Sequence, residues 1–432
     1  MVLMPTTMAD ETEQQLREKI DSQKKSIADL PPLPCIVNET GFTSPETKSK
    51  AQLIKELSDN EDRLELLLES KRIAAVIRLQ DELHPPEYSE DCPICLETIK
   101  HVNNTTVVRF FCCGGFTCNK CTEERIAKGR EDGFDEMYRG KCPLCRERMP
   151  KKGDFKKVNS LVLEHANKGR AWAQVHVGIS YLNGMSGFSS DEKKGLKLMK
   201  EAADLRYPDA LLEMAFAHSG ETLERDESKY MYYLKEAANL GHPGAQQELA
   251  LTYSTHEKEK RLHYTTLAAS QGNDKACGML GHYFMTGECG LIKSLILAKH
   301  YSETCLEYDE KEGDPIFAYI LSCALLQLGK DRYEGVLEIP GYSPIPKALF
   351  WARKAQESEL LPIKGEATEL VSMLENKAKS RCTNCRKEVE GSSFKRCVRC
   401  LGAWYCGKEC QVQHWKAGHK VDCIERHQLI QR

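Results

Sequence analysis

Sixteen residues carry the chemistry that this chain's sequence points to. From Cys382 it reads Cys382-x2-Cys385, Cys397-x2-Cys400, Cys406-x3-Cys410 and His419-x3-Cys423, eight soft or borderline donors in about forty positions. A second set of eight stands nearer the other end: Cys92-x2-Cys95, Cys112, Cys113, Cys118-x2-Cys121 and Cys142-x2-Cys145. Thiolate and imidazole donors satisfy a tetrahedral ion, and zinc takes four of them without redox chemistry. Two sets of eight therefore predict about four zinc ions per chain.

Fifteen of the 20 cysteines belong to these sets. Cys35, Cys277, Cys289, Cys305 and Cys323 fall outside them; the last four share no short spacing and read as small buried hydrophobes. Met1 to Glu13 shows no basic segment followed by an apolar core, and no apolar run nears the ~18 residues of a membrane helix. The paired thiols are therefore expected to be reduced and metal-bound, in an intracellular protein of the cytoplasm and/or nucleus with no membrane contact. The pattern lacks a glycine-rich phosphate loop, a His-Glu-x-x-His helix and a nucleophile elbow.

The formal charge of -3 treats cysteine as neutral. Counting fifteen thiolates and four zinc ions takes it to about -10, which makes a general affinity for nucleic acid unfavourable. Residues 377–432 run the other way, with 13 Lys or Arg against 5 Asp or Glu. Seven thiolates and two zinc ions leave this end at about +5, suited to an acidic partner surface or to modest nucleic-acid contact.

Elements must carry these sites, and 432 residues imply three or more structural units. Residues 1–43 read as largely disordered or marginally helical, with a thin apolar pattern at Leu16, Ile20, Ile27 and Leu30, ended by Pro31-Pro32. Residues 44–84 read as a helical arm and a possible coiled coil, with Ser44 as cap and Pro45 in the first position. Ser58 and Glu61 offer a second capping box, so two helices, or one interrupted near Asn60, are expected. Pro85-Pro86-Glu87-Tyr88 has the form of a peptide that WW domains accept, and it equally ends a helix.

Residues 91–150 resemble a RING-type zinc finger. The resemblance implies a cross-brace, with Cys92, Cys95, Cys118 and Cys121 on one ion and Cys112, Cys113, Cys142 and Cys145 on the other. The adjacent thiols Cys112-Cys113 depart from that family, which separates these two ligands. A sharp turn at Gly114-Gly115 lets both reach one ion; the alternative is that one of them ligates and a water or another side chain completes the set. RING fingers recruit a ubiquitin-conjugating enzyme and act by positioning its thioester. By that resemblance Ile94, Pro143 and Leu144 form the apolar contact with the enzyme, and Arg146 hydrogen-bonds enzyme and ubiquitin. The alternative is that Ile94 and Leu144 pack a mini-core and Arg146 is a surface charge.

The middle of the chain repeats. Ala202-Ala203, Ala237-Ala238 and Ala268-Ala269 recur at 35 and 31 residues, each followed by a turn and another alanine. A period near 35 means stacked helical hairpins whose small residues permit close approach. Residues 165–372 resemble SEL-like repeats, relatives of tetratricopeptide repeats, most plainly at Ala276-Cys277-Gly278-Met279-Leu280-Gly281-His282-Tyr283. A fifth hairpin is expected around Ala318 and Ala348 to Ala355, with an insertion at 330–346. The resemblance implies a surface that holds a peptide or protein.

Residues 382–423 resemble a MYND-type zinc finger along their whole length. That family's interleaving gives Cys382, Cys385, Cys406 and Cys410 to one ion and Cys397, Cys400, His419 and Cys423 to the other, leaving His414 to pack beside Trp415. MYND fingers are protein-interaction modules, and Gln411 and Trp415 are the peptide-binding positions the resemblance implies, although Trp415 equally suits a core contact.

The expected protein is mainly α: a helical-hairpin solenoid flanked by an N-terminal cross-brace RING-type finger and a C-terminal MYND finger. Two functions fit. One is a RING-type E3 ubiquitin ligase that takes its conjugating enzyme through the RING and its substrate or adaptor through repeats and MYND. The other is a non-catalytic scaffold in which both fingers are structural. Metal binding is common to both, so the sequence leaves open whether the protein is an enzyme.

Overall fold

The computed structural model describes residues 12–30, 45–131, 141–151, 153–308, 314–332, 343–385, 387–388, 394–420 and 423. Cys35, Ser44 and the Pro31-Pro32 segment lie outside them, as does most of the 330–346 insertion. Helix α1 (Glu13–Ala28) is better defined than a marginal segment, because Thr12 and Gln15 cap each other reciprocally, at 2.8 and 3.3 Å. Helix α2 (Pro45–Leu83) corrects the two-helix expectation: it runs without a break, and Ser58 and Asn60 are buried inside it. The reason is non-local. Asn60 donates to Gln23 of α1 at 2.9 Å, while Lys24–Glu61 and Lys71–Glu13 ion pairs set the two helices antiparallel. The polar residues that looked like a stop signal are satisfied by a neighbour.

The N-terminal zinc module follows. Its hairpins pair β1 (Glu90–Asp91) with β2 (Thr98–Ile99) and β3 (Val107–Arg109) with β4 (Phe116–Cys118), around Val102, Val107 and Phe116, before α3 (Asn119–Glu131). Then come α4 (Phe155–Asn167), α5 (Ala171–Asn183), α6 (Glu192–Asp204), α7 (Pro208–Phe216), α8 (Glu227–Asn239), α9 (Pro243–Thr252), α10 (Lys258–Ser270), α11 (Asp274–Thr286), α12 (Leu295–Tyr308), α13 (Pro315–Arg332), α14 (Ile345–Ala355) and α15 (Leu361–Ser380). The partners are α5 with α6, α7 with α8, α9 with α10, α11 with α12 and α13 with α14, so helices extend beyond both ends of 165–372. The C-terminal module pairs β5 (Lys395–Arg396) with β6 (Trp404–Tyr405) and adds α16 (Lys408–His414).

The alanine doublets do the work expected of small residues. All six are buried at the ends of α6, α8 and α10. Gly241 and Gly272 then turn the chain at φ +83° each; in the first repeat Arg206 takes that place, at φ +58°. Its guanidinium bonds Glu87 at 3.1 and 3.2 Å and Glu236 at 2.5 Å. Gly178 and Gly195 let α5 and α6 touch: a Cβ on Gly195 would lie 3.0 Å from the Gly178 carbonyl oxygen.

The chain divides into two compact units, 75–273 and the combination of 1–74 with 274–432. In the first, the Pro85-Pro86-Glu87-Tyr88 motif is already engaged: the Tyr88 hydroxyl donates to the Leu205 carbonyl at 2.5 Å and its ring meets Tyr207 edge-on. In the second, Glu69 of α2 is buried, accepts from the Tyr301 hydroxyl at 2.5 Å and holds Arg72 at 2.6 and 2.7 Å. A buried carboxylate so paired fixes α2 on α12.

Candidate metal centres

Every donor singled out in the sequence comes together with three others. The four sets are Cys92, Cys95, Cys118 and Cys121; Cys112, Cys113, Cys142 and Cys145; Cys382, Cys385, Cys406 and Cys410; and Cys397, Cys400, His419 and Cys423. Ligand atoms within each lie within 4.8 Å of one another. Among the shorter sulfur separations are 3.5 Å (Cys112 to Cys145), 3.8 Å (Cys95 to Cys118) and 4.0 Å (Cys92 to Cys121), and the Cys400 sulfur is 3.7 Å from His419 Nε2. Zinc bonds of about 2.3 Å demand tetrahedral edges of about 3.8 Å, so the donor sets fit zinc, while disulfides at about 2.05 Å are excluded. Each set supplies four protein ligands, the closed arrangement of a structural ion. Bound there, zinc supplies four bonds in place of an apolar core.

Local backbone explains why the spacing works. Three Cys-x2-Cys knuckles close by a bond from the residue after the second cysteine back to the carbonyl of the first: Leu96 to Cys92 (2.9 Å), Arg146 to Cys142 (3.0 Å) and Leu401 to Cys397 (3.0 Å). That residue must turn left-handed, and the three sit at φ +61°, +64° and +51° without being glycine. At Cys112-Cys113 the turn is made by Gly114, at φ +73°, whose N–H donates to the Phe110 carbonyl at 2.7 Å. Both adjacent thiols thereby reach one set. Gly115 serves another purpose, since a Cβ there would meet Leu144 at 2.6 Å.

Before metal enters, hydrogen bonds already divide the thiols. The Cys385 thiol holds Cys382 well below the usual thiol range and the Cys400 thiol does the same for Cys397, while each donor is itself pushed up. Protons that remain on the thiols leave as the ion binds.

The supports around these sets were not legible in the spacing. In the N-terminal module His165 of α4 bonds the Phe111 carbonyl at 3.0 Å, Arg170 donates to the Cys113 carbonyl at 3.1 Å, and Trp172 stacks on Phe111. The Asn104 N–H donates to Asp209 of α7 at 3.2 Å. In the C-terminal module the buried Tyr405 hydroxyl lies 2.9 Å from His414 Nδ1, and the His414 ring stacks on the ligand His419 at 4.7 Å. His414 stands outside the donor sets, and burial holds it neutral by lowering its pKa to about 3.

The expected contact residues are placed as follows. Ile94 is 51% exposed and its neighbour Leu96 76%; Arg146 is exposed, and Pro143 and Leu144 are half-buried, Leu144 partly against Gly115. Gln411 and Trp415 are half-buried; one side of the Trp415 indole packs on the cysteine cluster and meets His419 edge-on. No described helix is long and apolar enough to cross a membrane.

The class defined by these features is a mainly α protein with helical hairpins and four Cys/His clusters able to coordinate metal, a makeup consistent with protein–protein interaction. Residues 382–423 match the MYND finger family, which makes the C-terminal module a MYND-type zinc finger. The histone-lysine N-methyltransferase ASHR1 of Arabidopsis thaliana is 31% identical over 94 residues, 22% of this chain and 18% of that protein's length. Among solved structures, the chain is similar to a protective antigen of uropathogenic Escherichia coli displaying an SLR fold (17% identity, TM-score 0.41, 64% of this chain and 51% of that one). It is also similar to a Sel1 repeat protein from Oxalobacter formigenes (16% identity, TM-score 0.39, 52% and 87%).

Proposed function

We propose that the protein is a scaffold for protein–protein interaction, with zinc holding its terminal modules in shape and the helical hairpins and MYND finger presenting the recognition surfaces. The observation that carries this reading is the joining of a C-terminal MYND-type finger to paired helical hairpins, two kinds of recognition module; the closed donor sets make the zinc structural, which this reading shares with the next. Gln411 and Trp415 are the proposed peptide contacts. The test measures binding of immobilised proline-containing peptides to the zinc-loaded full chain and to Gln411→Ala and Trp415→Ala. Affinity lost in both, with zinc content unchanged, supports the reading; peptides retained equally by all three chains, or by none, overturn that site.

A second reading is favoured by one observation. Ile94 and Leu96 stand exposed at the first knuckle of an interleaved pair of clusters that resembles a RING cross-brace, with Arg146 exposed at another. On this reading the module recruits a ubiquitin-conjugating enzyme through Ile94, Pro143 and Leu144, and Arg146 orders the thioester. Discharge of charged conjugating enzymes is the assay. Acceleration by wild type that falls in Ile94→Ala and Arg146→Ala, and persists in Trp415→Ala, supports a ligase. Equal rates with wild type and with those two variants leave the scaffold.

A further inference from the structure

We infer that the cavity where the N-terminal zinc module meets the first repeat helices is a binding site for a small apolar carboxylate. It encloses about 370 Å³, within the ~300–1,000 Å³ range of ligand pockets. Its walls are mostly apolar, aromatic at Phe110 and Phe111 of the metal loop and Trp172 of α5, and aliphatic at Val175 and Ile179 of the same helix. Nothing in the scaffold or ligase readings uses it.

The polar groups at the cavity decide the ligand's charge. Asp209 is buried and already engaged, accepting from the Asn104 N–H at 3.2 and 3.3 Å and lying 3.4 Å from His242. Arg109 donates to the Gly114 carbonyl at 3.4 Å and lies over the Trp172 and Phe116 rings at 5.6 and 5.2 Å. Arg125 of α3 is different: its Nη2 is buried with no hydrogen-bond partner among the described residues, and its guanidinium lies 5.7 Å from the centre of the Phe110 ring. His176 adds a polar edge without charge, since burial lowers its pKa. Two guanidiniums thus face one carboxylate that is already engaged, and an unpaired buried donor is costly until an acceptor arrives. A ligand carboxylate against Arg125, with an aromatic or branched body among the apolar lining side chains Phe110, Val175 and Ile179, satisfies both features. Such chemistry comes either from a free acid or from the carboxyl-terminal apolar residue of a peptide. Cys112 also lines the cavity, so an occupant braces the loop that carries the second metal set.

The experiment is calorimetric titration of the zinc-loaded full chain with 4-phenylbutyrate, with 4-phenylbutyramide, and with a short peptide ending in Phe as free acid and as amide. Saturable binding of an acid, at least tenfold weaker for its amide, is expected. Arg125→Gln should reduce the acid to the level of the amide, and Val175→Phe should abolish binding by filling the cavity. Arg125→Gln stays decisive if the filled variant fails to fold. Preference for the peptide acid assigns the ligand to a chain terminus, and preference for phenylbutyrate to a free acid. No saturable binding of either acid, or acid and amide binding equally with Arg125→Gln unchanged, overturns the inference.

Discussion

In the C-terminal module Cys382, Cys385, Cys397, Cys400 and Cys423 are all at most 6% exposed, and the cluster is completed by Ala403, Tyr405 and half of Trp415. In the N-terminal module only Cys92 and Cys142 are that well buried. What it lacks internally it takes from the helices beside it: His165, Arg170 and Trp172 hold the metal loop, and Asp209 holds the Asn104 turn. The C-terminal module leans on its own unit more lightly, through the Arg353 bond to the Leu401 carbonyl at 3.4 Å and the approach of Gly402 to Pro346. Two modules of the same metal logic therefore differ in what they share. The first is joined to the helices by its metal-bearing loop and its Asn104 turn, the second by a knuckle tip.

The largest effect expected from this difference is in the spread of damage when metal is lost. Cys142→Ser and Cys397→Ser should each lower bound zinc from about four to about two per chain, because interleaved sets fail together. Only Cys142→Ser should also lower the thermal midpoint followed by helical circular dichroism, by several degrees. Equal shifts in the two variants would break the comparison.

Gly114→Ala sharpens it without touching a ligand. The position is left-handed, and a Cβ there would lie 2.1 Å from the Arg170 guanidinium and 3.2 Å from both His165 and Trp172. Backbone strain and a displaced clamp together should cost about 2–3 kcal/mol by urea unfolding. Zinc content near four with that loss would place the cost in the seat of the loop; no loss would mean that the clamp contributes nothing.

Smaller is the acid sensitivity of the same region. Burial lowers the pKa of His176, which packs on Phe111 at 5.3 Å, below the usual value near 6.5. Above that value both folded and unfolded chains hold the ring neutral; below it the unfolded chain takes up a proton that the folded one refuses. His176 therefore reduces stability as pH falls through about 6.5. Unfolding midpoints between pH 7.5 and 6.0 in excess zinc should decline, and His176→Gln should flatten the slope. An unchanged slope would mean that the ring takes up its proton equally when folded.

How much of this was written in the chain depends on the range over which each feature is determined. Donor spacing is local chemistry, and all sixteen donors were legible; so were the alanine doublets, because close helix approach leaves a residue-level mark. Helix α2 was misread because the partner that satisfies Asn60 is Gln23, 37 positions away. Cys112-Cys113 was left open because spacing shows that a turn is needed but not that α4 and α5 will hold it. Arg125 was invisible as a ligand group, since an unpaired donor exists only once the walls around it are known.

Arg206 makes the finest test, because its two effects nearly cancel. It occupies a turn position that Gly241 and Gly272 fill in the later repeats, and its left-handed backbone costs about 1 kcal/mol relative to glycine. Against this it bonds Glu87, in the segment leading into the N-terminal module, and Glu236 of α8; at 48% side-chain exposure each pair returns no more than about 0–1 kcal/mol. Arg206→Gly should therefore change the urea midpoint little in either direction. A cycle with Glu87→Gln separates the parts: if the Glu87 pair ties the entry segment to the helices, Glu87→Gln destabilises the wild type by a few tenths of a kcal/mol and does nothing in Arg206→Gly. Additive effects would show that the Glu87 pair plays no part in seating the module, which then rests on its metal loop, the Asn104 turn and Tyr88, and that Arg206 is tolerated at this turn only for the Glu236 side of its fork.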